Sequence, residues 1–387
     1  MAWQIYQITN SPLQLGLLGL ARALPQMALA LFGGVLADRV DRRRILMGTQ
    51  LAQFCVSTTL VAFTVLGAIT PTVLYAASMA LALFTSLETP ARQAIVPNLV
   101  PREDLTSALA LNTTQRDAGM IAGPALAGVL LAVHGPALCY AIDALSWLLM
   151  LVALLRIKIV LEALNGRATG VFRSLSEGLT FVWTHPIILS LMALDFGATL
   201  FGSARALYPI YARDILGVGA AGLGALYAAS AVGSVAGAVV MSMLGQVRRA
   251  GLWTLIGVAL YGASTVVFAL SPFFWLSVLM LAASGLGNMI SAVLRGTINQ
   301  LSTPNALRGR VAALNSVFTQ GGPQLGQFES GVVAQVAGTQ FSAVTGGVAT
   351  LVLVLSLLGV PWIRRFEFHR AQPGQSVAAG HDSQTRA

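Results

Sequence analysis

Stretches of about twenty apolar residues recur from one end of this chain to the other, and no other feature restricts the fold as strongly. A helix rising 1.5 Å per residue needs roughly 20 such residues to cross a ~30 Å hydrocarbon core. Spans are read at 13–36, 45–67, 72–94, 105–132, 137–156, 187–212, 216–244, 250–270, 273–294, 308–334 and 341–362, with a shorter apolar piece at 1–9. Only 10% of the 387 residues are charged and 56% are hydrophobic. A soluble domain of that composition would lack the polar groups to cover its surface, so the chain is read as an all-α integral membrane protein. The 39 glycines fit this class, because small residues let membrane helices approach closely.

The net charge of +9 would suit a nucleic-acid partner, but its placement excludes that reading. Basic residues gather on alternate connections and in the tail: Arg39 to Arg44, Arg92 and Arg102, Arg156 to Arg173, Arg248 and Arg249, Arg295 to Arg310, and from Arg364 onward. The connections 67–71, 133–136 and 271–272 carry none, and the one at 213–215 carries Arg213 alone. This alternation is the positive-inside pattern, which places the basic loops and both terminal sides in the cytoplasm of a bacterial inner membrane. Cys55 and Cys139 lie inside spans, and His134, His185, His369 and His381 are scattered, so no disulfide framework, metal site or cofactor is expected. A Gly-Lys-Ser/Thr phosphate loop is absent from the sequence, so neither ATP-driven transport nor another enzyme activity is expected. The first nine residues lack a basic n-region and a cleavage site and are read as helix.

The sequence repeats at an offset of 203 residues. Gly19, Gly34 and Gly48 match Gly222, Gly237 and Gly251; Arg92 and Pro101 match Arg295 and Pro304. Ala110-Leu111-Asn112 matches Ala313-Leu314-Asn315, and Gly119, Gly123 and Gly128 match Gly322, Gly326 and Gly331. Such a register implies two parallel bundles, at 1–156 and 187–364, related by an axis along the membrane normal. By the same offset, the partner of the span at 187 would start before residue 1. Residues 1–9 are therefore expected to be the outer end of an incomplete first helix, with a start codon upstream or a truncation as the two explanations. Between the bundles lies a connection at 157–186, where Phe172, Leu175, Leu179 and Val182 form an apolar stripe that suits either an interfacial helix or a plain linker. The tail 365–387 is read as disordered from its Gly, Ser, Gln and Ala content.

After the second expected span comes Gly34-Val-Leu-Ala-Asp38-Arg39-Val-Asp-Arg42-Arg43-Arg44. Twelve spans in two six-helix bundles with this loop resemble the major facilitator superfamily, whose loop motif is matched at Gly34, Leu36, Ala37, Asp38, Arg39, Arg42, Arg43 and Arg44. Asp41 departs from the usual glycine. The resemblance implies a gate that latches the cytoplasmic side, with Asp38 set against the helix start near Leu307 to Gly309 and Arg92 among the gating residues. A carboxylate is favourable in the dipole of a helix N-terminus. A second resemblance lies in Gly119-Met-Ile-Ala-Gly123-Pro124-Ala-Leu-Ala127-Gly128, which is similar to a motif of proton-driven antiporters and implies export. The bare glycine spacing is equally compatible with simple packing. Pro90 to Pro97, Leu207-Tyr208-Pro209, Ala212 to Gly217 and Asn299 to Val311 resemble the enterobactin-exporter-like branch, which also contains drug efflux proteins.

Charges inside a bilayer are costly and are functional candidates by default. Here they are Arg22, Arg116, Asp117, Asp143, Asp195, Arg205 and Glu329, while Glu88 is expected to pair locally with Arg92. Asp195 is the leading candidate proton carrier, because the resemblance places its span on the central cavity. Arg22 is read as a counter-ion for an anionic cargo or a partner of another buried charge. Structural pairing remains open for each of these groups. The expected function is a monomeric secondary transporter, with membrane lipid as its solvent, exporting amphipathic siderophore-like or drug-like molecules in exchange for protons. A lipid or metabolite facilitator and a non-transporting sensor or scaffold are the alternatives.

Overall fold

The computed structural model describes residues 1–39, 41–95, 100–156, 171–245, 247–305, 307–360 and 362. Most of the connection at 157–186 and the tail 365–387 lie outside them, as do the side chains of 30–39, 42, 93, 94, 102 and 171–175. Within the first repeat the helices are α1 (Ala2–Thr9), α2 (Pro12–Arg39), α3 (Arg42–Val65), α4 (Pro71–Ile95), α5 (Leu105–His134) and α6 (Pro136–Arg156). A connecting helix α7 (Val171–Thr184) leads into α8 (Pro186–Phe201) and a single turn α9 (Tyr208–Ile210). The second repeat continues with α10 (Gly219–Leu244), α11 (Ala250–Leu270), α12 (Phe274–Ser302), α13 (Arg308–Ala337) and α14 (Thr339–Leu358). Proline opens α2, α4, α6 and α8, where its missing N–H leaves no intrahelical bond unmade. Gly135 and Gly338, one repeat apart, end α5 and α13 at φ 75° and 96°, a backbone region that glycine enters without strain.

Among the described residues nine helices are long and apolar enough to cross a membrane, against the eleven spans expected. The difference is α2 and α13, which have ample length at 28 and 30 residues. Their polar content lowers their hydropathy: Gln14, Arg22 and Gln26 in α2, and Gln324, Gln327 and Glu329 in α13. These two helices pack on one another across the repeats, so part of that polarity faces protein.

The apolar run 187–212 is not one helix. It breaks at Gly202 and Ser203, resumes as a 3-10 turn at Ala204–Leu207, and ends in a π-helical turn at Tyr211–Ile215. Backbone freed inside a membrane must be satisfied by neighbours. Tyr261 donates to the Gly202 carbonyl at 2.7 Å and Ser330 to the Ser203 carbonyl at 3.0 Å. Close approach finishes the joint, since a Cβ on Gly346 would stand 2.1 Å from the Phe201 carbonyl oxygen.

Buried apolar clusters divide unevenly along the bundle. The largest joins both repeats at the end away from the basic loops, with Leu15, Leu18, Leu60 and Tyr140 from the first and Leu207, Tyr211, Leu226 and Phe268 from the second. Toward the basic loops each described cluster draws on one side of the molecule. Leu46, Ala91, Ile95 and Leu154 belong to the first repeat, and Leu191, Met241, Leu294 and Ile298 to the second. The molecule is thus held together mainly at one end.

Helix α7 differs from the interfacial expectation. Val182 is buried against Ile188, Met192 and Val311, Gly178 lies against Arg310 and Leu314, and Arg310 is ion-paired with Glu177. Leu179 remains exposed, while Phe172 and Leu175 fall among the side chains not described. Half of the expected stripe is therefore testable, and Val182 faces protein.

Candidate functional site

A cavity of about 370 Å³ lies between the repeats, just inside the closed end. Arg22 of α2, Pro124 of α5, Arg205, Tyr227 of α10, and Gln324 and Gln327 of α13 line it. The break in span 7 places Arg205 there: the 3-10 turn after Ser203 redirects the chain at this depth. Arg205 stands over the Tyr227 ring, its Cζ 5.3 Å from the ring centroid. Arg22 donates through Nε to Ser78 Oγ at 2.7 Å. Neither guanidinium has a carboxylate within 4 Å among the described residues.

Glycines close the end beyond the cavity. A Cβ on Gly331 would stand 2.6 Å from Gly16 Cα, and one on Gly128 would stand 2.7 Å from Gly224 Cα. These contacts, α13 on α2 and α5 on α10, are the same joint made once by each repeat. A polar strap crosses the same end: Tyr6 donates to Asp214, Arg213 pairs with Asp214 at 2.7 Å, and Arg213 also reaches Asn10, its own repeat partner at 203 residues. Ser11 adds a bond to Gln335 at 2.9 Å. Asp214→Asn weakens this partly exposed strap by about 1 kcal/mol. Thiol labelling of a Ser11→Cys reporter should then rise roughly fivefold; unchanged labelling would show that the strap does not hold the end closed.

The antiporter-like motif is split. Gly128 and the Pro124 carbonyl meet Gly224, but a Cβ on Gly119 or Gly123 would find no described atom within 4 Å. At about 100° per residue Gly119 and Gly123 are neighbours on the helix face, whereas Gly128 is about 140° beyond Gly123. The glycines therefore do not form one packing face.

The gating cluster is covered only in part. Gly34 and Asp38 lie within α2, and the side chains of Asp38, Arg39 and Arg42 fall outside the described residues. Asp41 accepts from the Arg43 backbone N–H at 2.9 Å and caps α3, a role glycine would not supply. Arg43 donates to the carbonyls of Leu154 and Leu155, at 3.0 and 3.3 Å, tying α3 to the C-terminal end of α6. Arg92 is exposed, and the expected pair with Glu88 is absent: Glu88 accepts instead from Gln53 of α3 at 3.3 Å.

The intramembrane charges are placed as follows. Asp195 is buried and ion-paired with Arg295 of α12, and Thr319 of α13 donates to its other oxygen at 3.1 Å. Asp143 accepts from Ser57 at 2.6 Å and Trp147 at 3.1 Å. Arg116 and Asp117 lie 3.4 Å apart with Arg116 exposed. Glu329 is half-buried with no cationic partner among the described residues. Sequence reasoning counted Arg205 as a charge but not as a site, and it missed Arg295 as the partner of Asp195. The usable signals were the Gly-Ser pair before Arg205 and the offset that puts Arg295 in register with Arg92.

The sequence profile of the transmembrane secretion effector family matches residues 1–378. Enterobactin exporter EntS of Escherichia coli O6:K15:H31 is 29% identical over 384 residues, covering 97% of this chain and 90% of that protein. Enterobactin exporter EntS of Citrobacter koseri is 29% identical over 370 residues, covering 94% and 87%. Among solved structures, the nucleoside transporter NupG superposes with a TM-score of 0.74 at 11% identity, covering 95% of this chain and 94% of that one. A bacterial homolog of the human lysosomal transporter Spinster, in an inward-facing and unoccupied conformation, gives 0.69 at 15% identity, covering 94% and 91%. The chain belongs to the transmembrane secretion effector family of the major facilitator superfamily and is a multi-pass membrane transporter.

Proposed function

We propose that this transporter exports an amphipathic small molecule, siderophore-like or drug-like, across the inner membrane in exchange for protons. The observation that supports this best is the core shared by both repeats at one end only, with a cavity carrying two arginines just inside it. The basic loops belong on the cytoplasmic side by the positive-inside rule, so the cavity loads from the cytoplasm. Rocking of 1–156 against 187–364 then opens the glycine-sealed end and closes the other. Asp38 with Gly34, Arg39, Arg42, Arg43 and Arg92 forms the latch of that second state. Asp195 is the proton carrier, and protonation frees Arg295 from its ion pair. The 29% identity to enterobactin exporters supports a cargo of that kind.

An Escherichia coli strain without its own exporter, expressing this chain, should secrete enterobactin at several times the vector rate and stop when a protonophore is added. Vector-level release of enterobactin and of preloaded lipophilic dyes would overturn export. Release that merely equilibrates, indifferent to the protonophore, would indicate a facilitator.

A further inference from the structure

We infer that the cavity between the repeats is a binding site for the oxyanionic head of an amphipathic cargo, gripped by Arg22 from one repeat and Arg205 from the other. This rests on the transporter reading and names the substrate class of the same cavity. Two guanidiniums face one space of about 370 Å³, a size within the usual range of small-molecule pockets. Each is positioned by a bond that leaves most of its donors unspent. Arg22 gives Nε to the neutral Ser78 hydroxyl, and Arg205 lies against the Tyr227 ring. Arginine carries five N–H donors in a planar fork suited to carboxylate, phenolate or phosphate oxygens.

Elsewhere this chain does provide counter-charges for its arginines: Arg295 has Asp195, Arg310 has Glu177 and Arg213 has Asp214. Against those pairs, the two cavity arginines stand out, because an unpaired charge within a membrane is costly. The cargo supplies the missing charge. Gln324 and Gln327 add amide groups to the polar side, while Leu15, Leu18 and Pro124 give the apolar body a surface. The arginines come from different repeats, so a bound oxyanion ties the repeats together at the point where they must move apart.

Dansylglycine and dansylglycinamide share a fluorophore and differ in the carboxylate. Binding of each to the purified transporter in phosphatidylcholine nanodiscs should favour dansylglycine by tenfold or more, as hydrogen bonds to a charged group allow. Arg22→Gln and Arg205→Gln should each bring the ratio of affinities near one, and Arg22→Lys and Arg205→Lys should keep part of it. Equal binding of the probes by the unaltered protein, or a preference surviving both glutamine changes, would overturn the inference. Phosphatidylglycerol in the disc should leave dansylglycine binding unchanged. Competition by that lipid would assign the arginines to a headgroup phosphate and overturn the cargo assignment. Flux of both probes into proteoliposomes keeps the two ideas apart. Flux without anion preference removes this inference and leaves export standing, whereas anion-selective binding without flux does the reverse.

Discussion

Gly128→Ala is expected to open the end of the bundle that the structure holds shut, while Gly119→Ala, earlier in the same helix, leaves it closed. The added methyl at residue 128 lands 2.7 Å from Gly224 Cα and 3.0 Å from the Ala220 carbonyl oxygen, both backbone atoms that move only if α5 and α10 separate. Overpacking of this kind costs about 1–3 kcal/mol. The closed conformation alone contains the contact, so the whole penalty falls on the equilibrium between states, a shift of roughly 5- to 150-fold. At residue 119 the same methyl meets nothing within 4 Å among the described residues. Labelling of a Ser11→Cys reporter by an impermeant maleimide reads the difference. It should rise strongly in Gly128→Ala and stay near the parent rate in Gly119→Ala. Equal labelling in both would show that the glycine contact does not govern closure. Gly331→Ala, which repeats the geometry against Gly16, should behave as Gly128→Ala does.

Asp195→Asn should be the most destabilising single change among the charged residues. Asp195 and Arg295 are buried together, and Thr319 satisfies the remaining carboxylate oxygen. Removing one partner of a buried pair leaves the other charge without compensation, at about 3–5 kcal/mol. Replacing both with groups of similar volume, Asp195→Asn with Arg295→Met, should recover most of that loss. Thermal unfolding in detergent separates the three proteins: the single variant melts well below the parent, and the double variant melts near it. A single variant as stable as the parent would mean that the pair holds nothing together. The double variant also isolates the proposed proton role, because loss of folding no longer confounds it. It should move cargo only down the cargo's own gradient, insensitive to an imposed pH difference. Proton-driven uphill export by the double variant would remove Asp195 as carrier.

Hydropathy located most helices to within a few residues because each must bridge a bilayer. The span read at 105–132 is observed as Leu105–His134, and the one at 250–270 as Ala250–Leu270. The same measure was blind to the break at Gly202, since Phe201, Ala204 and Leu207 keep the run apolar while Tyr261 and Ser330, distant in sequence, satisfy its carbonyls. It also under-scored α2 and α13, whose polar residues include cavity-lining groups. Repeat matching picked out Gly128 and Gly331 as equivalent, and the structure uses them in equivalent contacts. It could not tell Gly119 from Gly128 as packing residues, because that depends on which helix each face meets. Among the charges, pattern alone flagged Asp195 and Arg22 equally. The first is neutralised by Arg295 and the second has no acid beside it, a distinction that only the packing of α12 and the path of the broken span can draw.

The central claim is that cargo passes between two repeats that part at the glycine-sealed end. A reversible lock across that end tests it most directly. Ser11→Cys and Gln335→Cys replace two residues that touch across the repeats, and the shortest alkyl bis-methanethiosulfonate should bridge them. In cells secreting enterobactin through this transporter, the account predicts that bridging stops secretion and that a reductant restores it. Secretion that continues at the unbridged rate, with the crosslink verified on the same protein, would contradict the account.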